Sequence, residues 1–330
     1  MSKNPISRRR FLKSASTAAA AVTLAGRLSF PSTASAAPAA SAAANGMSFG
    51  IQTPPQNVTY NELQQTWLEA DELGYDSAFG FDHFIPIRTD PTGPCLEGWT
   101  LLAALAAQTK KLKVGLLVTG NTYRNPAVLA KMAVTVDHVS NGRLILGMGA
   151  GWFELEHTAL DIPYYTPGKR ARRLVEAVEL IKMLFTQEKT NYKGKYYTIT
   201  DAPSEPKPIQ KPHPPILIGG MGPKVIQPLA ARHANIWHFF VQEGGMNGVK
   251  KACANFDAIC KKVGRDPAEV KKSVSLSFPL LNQPSTEIIQ HVKDLRAAGV
   301  EYCILSLFEN MNRTVMQRFA KEVIPEFRKA

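Results

Sequence analysis

Gly74-Tyr-Asp-Ser-Ala-Phe-Gly-Phe-Asp-His83 is the stretch from which the fold is read. Tyr75 to Gly80 predicts a short buried strand, and Gly74 is the stop of the helix before it. That helix covers Asn61 to Leu73, with Leu63, Trp67 and Ala70 at spacings of four and three. The strand runs out into an Asp82-His83 pair. An apolar strand fixes the backbone and its C-terminal end faces a cavity, so an acid and an imidazole there read as a site in an α/β fold. The residues also allow a plainer reading, in which Asp82 caps the next segment and His83 lies on the surface.

Outward from this unit the same alternation repeats. Ser48 to Gln52 reads as the first strand. Glu97 to Gln108 is the second helix, and Leu112 to Val118 the third strand, a continuous apolar run of the kind buried on both faces. Asn125-Pro126 opens the third helix, with Leu129, Met132, Val136 and Val139 on one stripe. Asn141-Gly142 turns into strand four, Arg143 to Met148, and helix four follows from about Gly168 to Phe185. The alternation then pauses. Thr190 to Ile199 predicts a hairpin around Lys193-Gly194, and six prolines between Pro203 and Pro215 keep the next stretch extended. Residues 186–214 are expected to form an insertion over the barrel mouth. Strands at Ile216–Ile218, Asn235–Val241, Ser273–Phe278 and Tyr302–Leu307 then alternate with helices at Pro223–His233, Gly248–Val263, Ser285–Ala298 and Arg313–Phe327. Eight such units in about 280 residues predict one (β/α)8 TIM barrel over residues 47–330, with the insertion between its fourth and fifth units. A doubly wound open sheet is the rival, but no strand followed by G-x-G-x-x-G opens the chain.

Ahead of the barrel, residues 1–36 contain Lys3, Arg8, Arg9, Arg10, Lys13 and Arg27 and no acid. A basic start, a mildly apolar run from Ala15 to Leu28 and Ala34-Ser35-Ala36 predict an export signal cleaved before Ala37. Arg8-Arg9-Arg10-Phe-Leu-Lys13 gives it twin-arginine character. The expected location is the periplasm, cell envelope or exterior, with no stable membrane anchor after cleavage, because the apolar run is shorter than a span. Residues 37–46 read as a flexible lead-in. The formal charge of +12 falls to +6 without the leader, with 33 basic against 27 acidic residues. That suits an anionic small molecule, and no run of Lys and Arg suggests nucleic acid. Cys95, Cys253, Cys260 and Cys303 have neither metal nor CxxC spacing.

Several predicted strand ends are glycine-rich. Gly147-Met-Gly-Ala-Gly151 lets a flat ring approach bare backbone. Gly219-Gly-Met-Gly222 precedes Pro223, read as the first residue of a helix whose free N–H groups would hold a phosphate. Each cluster is also readable as a tight turn. The histidines share no metal spacing with an acid: Glu154-Leu-Glu-His157 is not a zinc helix motif. Neither a G-x-S-x-G elbow nor a Walker loop is present.

Taken together, Gly74-Tyr-Asp-Ser77 with Phe81-Asp-His-Phe84, Val118-Thr-Gly-Asn121, Asn125-Pro-Ala-Val128, Gly147-Met-Gly-Ala-Gly-Trp152 and Pro212-His-Pro-Pro-Ile-Leu-Ile-Gly-Gly220 resemble the bacterial luciferase-like flavin and deazaflavin oxidoreductases, above all members using coenzyme F420. The resemblance runs from about Met47 to His238. It implies a barrel holding the ring at its strand ends, with His83 and Asp82 as the catalytic pair: His83 beside the reacting ring, Asp82 orienting it or touching the cofactor. It implies a cis peptide at Leu117-Val118 behind the ring, and cofactor contacts at Asp82, His83, Leu117, Val118, Gly120, Gly149, Ala150, Gly151, Gly219, Gly220, Met221 and Gly222. Trp152, Phe153, Tyr164 and Tyr165 are candidate walls of the substrate cavity. Departures stand at Phe153, where members often have Asn or His, and at Asn235-Ile-Trp237 in place of Asp-Gly-Trp. Trp152 stands where the sugar-phosphate dehydrogenase branch has a catalytic Glu, so oxidation of a sugar phosphate is not expected. The resemblance implies hydride transfer between F420 and a small organic substrate. It leaves open an FMN-dependent two-component monooxygenase, a flavin- or ligand-binding barrel without turnover, and a homodimer, since this family is often dimeric.

Overall fold

The computed structural model describes residues 46–240, 244–308 and 312–328. The export signal read over residues 1–36 and the lead-in up to residue 45 lie outside the described residues, as does Val241 at the end of the sixth predicted strand. The strands are β1 (Ser48–Gln52), β2 (Ser77–Gly80), β3 (Lys113–Leu116), β4 (Thr119–Gly120), β5 (Leu144–Gly149), β6 (Lys189–Lys193), β7 (Thr198–Pro203), β8 (Ile216–Gly219), β9 (Ile236–Phe239), β10 (Lys271–Leu276) and β11 (Tyr302–Ser306). The helices are α1 (Tyr60–Glu72), α2 (Gly98–Gln108), α3 (Pro126–Val139), α4 (Glu154–Ala159), α5 (Pro167–Thr186), α6 (Ile226–His233), α7 (Gly245–Lys262), α8 (Phe278–Leu281), α9 (Ser285–Ala297), α10 (Arg313–Arg318) and α11 (Ile324–Arg328).

Eight parallel strands, β1, β2, β3, β5, β8, β9, β10 and β11, form a ring that the β3–β5 pairing closes. This is the expected TIM barrel, and alternation along each strand divides its core in two. Phe79, Leu117, Ile145, Leu217, Ile236, Tyr302 and Ile304 form one cluster inside the ring. Their neighbours, such as Ala78, Leu146, Ile216, Trp237 and Cys303, face outward into the larger core beneath the helices. Each fully buried large apolar side chain contributes about 1.5–3 kcal/mol. All four cysteines are free.

At the N-terminal rim a buried carboxylate and a half-buried guanidinium bind backbone. The Asp71 carboxylate, at the end of α1, accepts the N–H groups of Lys110, Lys111 and Leu112 at 2.9, 2.8 and 2.7 Å, fixing the entry to β3. Arg143, at the entry to β5, donates to the carbonyls of Ser140, Leu112, Ala106 and Thr109.

Four readings are corrected. The third strand is not continuous: β3 stops at Leu116, the Leu117–Val118 peptide is cis where the resemblance places one, and β4 resumes beside β5. The fifth-unit helix begins at Ile226 rather than Pro223, because Ile226 and Gln227 both donate their N–H to the Gly222 carbonyl and close a turn first. A short helix, α4, was not foreseen, since Glu154–Ala159 is too brief to show periodicity. The insertion reaches only the edge of the mouth, where the Tyr197 hydroxyl accepts Asn121 Nδ2 at 3.2 Å just after β4. Its hairpin, β6–β7, is pinned to α5, where Glu176 accepts the N–H groups of Lys195, Tyr196 and Tyr197. The proline-rich stretch then runs down the outside of α3 to Asp137, whose carboxylate holds Gln210. The chain has to return to the N-terminal rim because β8 is parallel to β5 and starts beside it.

Candidate active site

The C-terminal ends of β2, β4 and β5 and the loop after β8 define the site. β2 runs into Phe81, Asp82 and His83, all buried. The sequence placed Asp82 and His83 together, and the structure gives them separate partners. Asp82, 1% exposed, receives both terminal nitrogens of Arg124 at 2.5 and 2.9 Å, and Arg124 also binds Glu97 at 2.8 Å. Burial pushes the Asp82 carboxyl above its ordinary value, while the Arg124 guanidinium pulls the other way. With both oxygens engaged, Asp82 does not orient the imidazole. That expectation is corrected.

The partner of His83 is Glu156 on α4, which is wholly buried. Its Oε1 lies 2.7 Å from His83 Nδ1 and also accepts the Tyr123 hydroxyl, and its Oε2 accepts the Phe84 N–H at 2.9 Å. Burial raises the Glu156 carboxyl, but its bond with His83 and the other donors outweigh this and hold it below the usual carboxylate range. His83 Nε2 has no hydrogen-bond partner among the described residues. The ring is 8% exposed and meets Phe81, Trp152 and Phe153 edge-on, with centroids 5.2, 5.8 and 5.8 Å away. Edge contacts of this kind fix a ring's plane.

Glu156 and Tyr123 were missed by sequence reasoning. Glu154-Leu-Glu-His157 suggests a metal motif by residue type but lacks its spacing. The available signal was two acids directly after a strand-end glycine cluster. The third residue of that segment that matters, His157, is also buried, its nitrogens bound to the Phe153 carbonyl and the Thr122 hydroxyl at 2.7 Å each.

The glycine-rich ends meet at Val118. A β-carbon on Gly149 would stand 2.6 Å from Val118 Cγ2, and one on Gly219 would stand 3.0 Å from Val118 Cγ1. The two glycines therefore make room for Val118, which packs over the inner core. The Leu117 carbonyl is held by Gln52 Nε2 at 2.8 Å. Gly120 gives its space to the Tyr123 ring, and Ala150 and Gly151 follow β5 into the segment that carries Trp152. In the loop after β8, Gly220 N–H donates to the His238 carbonyl at 3.0 Å, and its own carbonyl accepts Trp237 Nε1 at 2.8 Å. The N–H groups of Met221, Gly222, Lys224 and Val225 have no protein acceptor among the described residues.

Of the four proposed wall residues, the structure brings two to His83. Trp152, 57% exposed, and Phe153 flank it. Tyr164 instead bonds the Trp152 carbonyl at 2.9 Å. Tyr165 lines a cleft of about 430 Å³ with Arg173, Tyr196 and Tyr197, and Tyr123 and Arg124 form part of the same lining.

Residues 47–321 match the luciferase-like monooxygenase family. Over 180 residues the chain is 34% identical to an F420-dependent glucose-6-phosphate dehydrogenase of Amycolatopsis mediterranei (strain U-32), covering 53% of this chain and 52% of the relative. Over 176 residues it is 32% identical to an FMNH(2)-dependent dimethylsulfone monooxygenase of Pseudomonas putida, covering 51% and 47%. The chain thus spans about half the length of the curated relatives it matches. Among solved structures, an F420-dependent secondary alcohol dehydrogenase in complex with an F420-acetone adduct superposes with a TM-score of 0.75 at 20% identity, covering 86% of this chain and all of that one. At that identity the likeness concerns the fold.

Proposed function

This chain belongs to the luciferase-like monooxygenase family, and from that premise we propose that it is a deazaflavin (F420)-dependent oxidoreductase moving a hydride between the cofactor and a small organic substrate. The observation that carries the reading is His83: a buried imidazole at a barrel strand end, one nitrogen held by a carboxylate and the other without a partner among the described residues. An imidazole is suited to give or take a proton near neutral pH.

The residues present fit a planar, phosphate-tailed ring. Gly149 and Gly219 project no side chain over the rim, and Val118 between them offers an apolar floor. The N–H groups of Gly222, Lys224 and Val225, without acceptors among the described residues, suit a phosphate. Leu117, Gly120, Ala150, Gly151, Gly220 and Met221 complete the proposed contact surface, and Asp82, tied to Arg124, supports it from below. When bound, the deazaflavin supplies the carbon that gains or loses the hydride. His83 handles the accompanying proton at Nε2, and Trp152 and Phe153 keep water from the reacting face. Trp152 cannot act as the acid that a sugar-phosphate oxidation uses, so the proposed substrate is a small organic molecule other than a sugar phosphate. A second reading, an FMN-dependent monooxygenase, is favoured by the Pseudomonas putida relative.

The same proposal has the protein exported by the twin-arginine route already folded around its cofactor, on the support of Arg8-Arg9-Arg10 and Ala34-Ser35-Ala36. One experiment tests both parts. The protein is purified from the envelope and secreted fractions of a host that makes both cofactors, and the released ligand is read by absorbance and mass. Deazaflavin is expected. FMN would replace the first reading with the second, and recovery only from cytoplasm would remove export.

A further inference from the structure

We propose that Glu156 is a positioning residue for His83: it fixes the imidazole tautomer with the proton on Nδ1, so that the Nε2 lone pair is the one presented at the barrel mouth. An ionised carboxylate can only accept hydrogen bonds. Glu156 is wholly buried, and donors reach both of its oxygens: the Phe84 N–H at Oε2, the Tyr123 hydroxyl and His83 Nδ1 at Oε1. At 2.7 Å from that oxygen, Nδ1 has to be the donor. A neutral ring with its proton on Nδ1 has its acceptor at Nε2.

Among the described residues no other group competes for the orienting role. The Asp82 carboxylate is taken up by Arg124 through two bonds. Tyr123, 3.5 Å from Nδ1, directs its hydroxyl to Glu156. A half-turn of the ring that keeps its plane would put Cδ2 where Nδ1 stands and leave Glu156 Oε1 without that donor, so the 2.7 Å bond selects this orientation of the ring. The Phe84 N–H, bound to Oε2, in turn holds the carboxylate in register. The segment between β5 and α5 therefore has a second task besides supplying Trp152, which is to return a carboxylate to the end of β2, 73 positions earlier in the chain.

The inference rests on the proposed function only in giving Nε2 its proton-handling work, and the tautomer itself can be read without cofactor. The experiment is a long-range proton–nitrogen correlation spectrum of the cofactor-free protein labelled with ¹⁵N-histidine, at a pH of about 8 where an ordinary imidazole is neutral. In the unsubstituted protein His83 should be the Nδ1–H form. Glu156→Gln has one acceptor oxygen where two are needed, so the tautomer ratio should fall on the order of tenfold, the worth of a hydrogen bond to a charged group. Tyr123→Phe, which keeps the His83 bond, should leave the ratio unchanged. His83 found with its proton on Nε2 would overturn the inference, as would a folded Glu156→Gln protein with a ratio within about twofold of the original. Should Glu156→Gln fail to fold, the spectrum of the unsubstituted protein decides alone. The expected tautomer in a protein that transfers no hydride would support this inference and remove the proposed function.

Discussion

At the N-terminal rim of the barrel Asp71 and Arg143 direct nearly all their hydrogen bonds to backbone, whereas at the C-terminal rim Asp82, Arg124 and Glu156 direct most of theirs to other side chains. Both rims contain a carboxylate and an arginine in poor contact with water. Backbone partners are present whatever the neighbouring side chains are, so the lower pair closes the fold and nothing more. Side-chain partners hold one another in place, and at the upper rim the chain of contacts ends on an imidazole nitrogen with no partner among the described residues. The same chemical groups thus serve stability at one end and orientation at the other, as is expected of a barrel whose sites sit at the C-terminal face.

Substitutions at the two ends should separate these roles. The largest effect is expected for His83→Gln, which keeps a donor for Glu156 but loses the imidazole. Turnover should fall by about 10²–10⁴, the usual worth of a general acid or base, while the urea midpoint moves little. A large drop in stability with turnover per folded molecule intact would reverse the contrast. Next comes Arg143→Ala, which leaves four backbone carbonyls without their donor and should cost about 3–4 kcal/mol in urea unfolding. Cofactor content per folded molecule should not change, and a loss of it would show that the two rims are coupled.

The smallest effect is expected for Asp71→Asn, at about 2 kcal/mol near neutral pH, because an amide can accept from only some of the three N–H groups. This effect depends on pH. Burial alone would raise the Asp71 carboxyl, but its three backbone bonds, with the Arg143 charge adding to them, hold it below its ordinary value. A carboxyl lowered by folding adds stability above its unfolded value of about 4, and that stability is lost as pH falls through the lower folded value. The gap between Asp71→Asn and the original protein should therefore narrow in acid. A gap that is constant from neutral to acid pH would mean that the charge of Asp71 is not what the backbone bonds require.

Most of the barrel was legible because its signals are local. Leu63, Trp67 and Ala70 mark α1 by spacing, Gly74 marks its end, and the runs at 144–148 and 216–218 mark strands by apolar continuity. The Asp82-His83 pair was legible as a strand end for the same reason. The course of residues 186–214 was not, because their prolines and turns state that the chain is extended without saying which surface it follows. Helix α4 escaped because two turns hold too few residues for a period to show.

The sequence by itself determined that there are eight strand–helix units, and that glycines and an imidazole stand near the strand ends. Only the tertiary structure decided that Arg124 takes Asp82, that Glu156 takes His83, and that the glycines at 149 and 219 yield their space to Val118. The physical reason is one of range. Periodicity and turn chemistry act over a few residues, whereas closing the ring brings together side chains that are tens of residues apart and removes them from water, where each buried polar group has to find a partner.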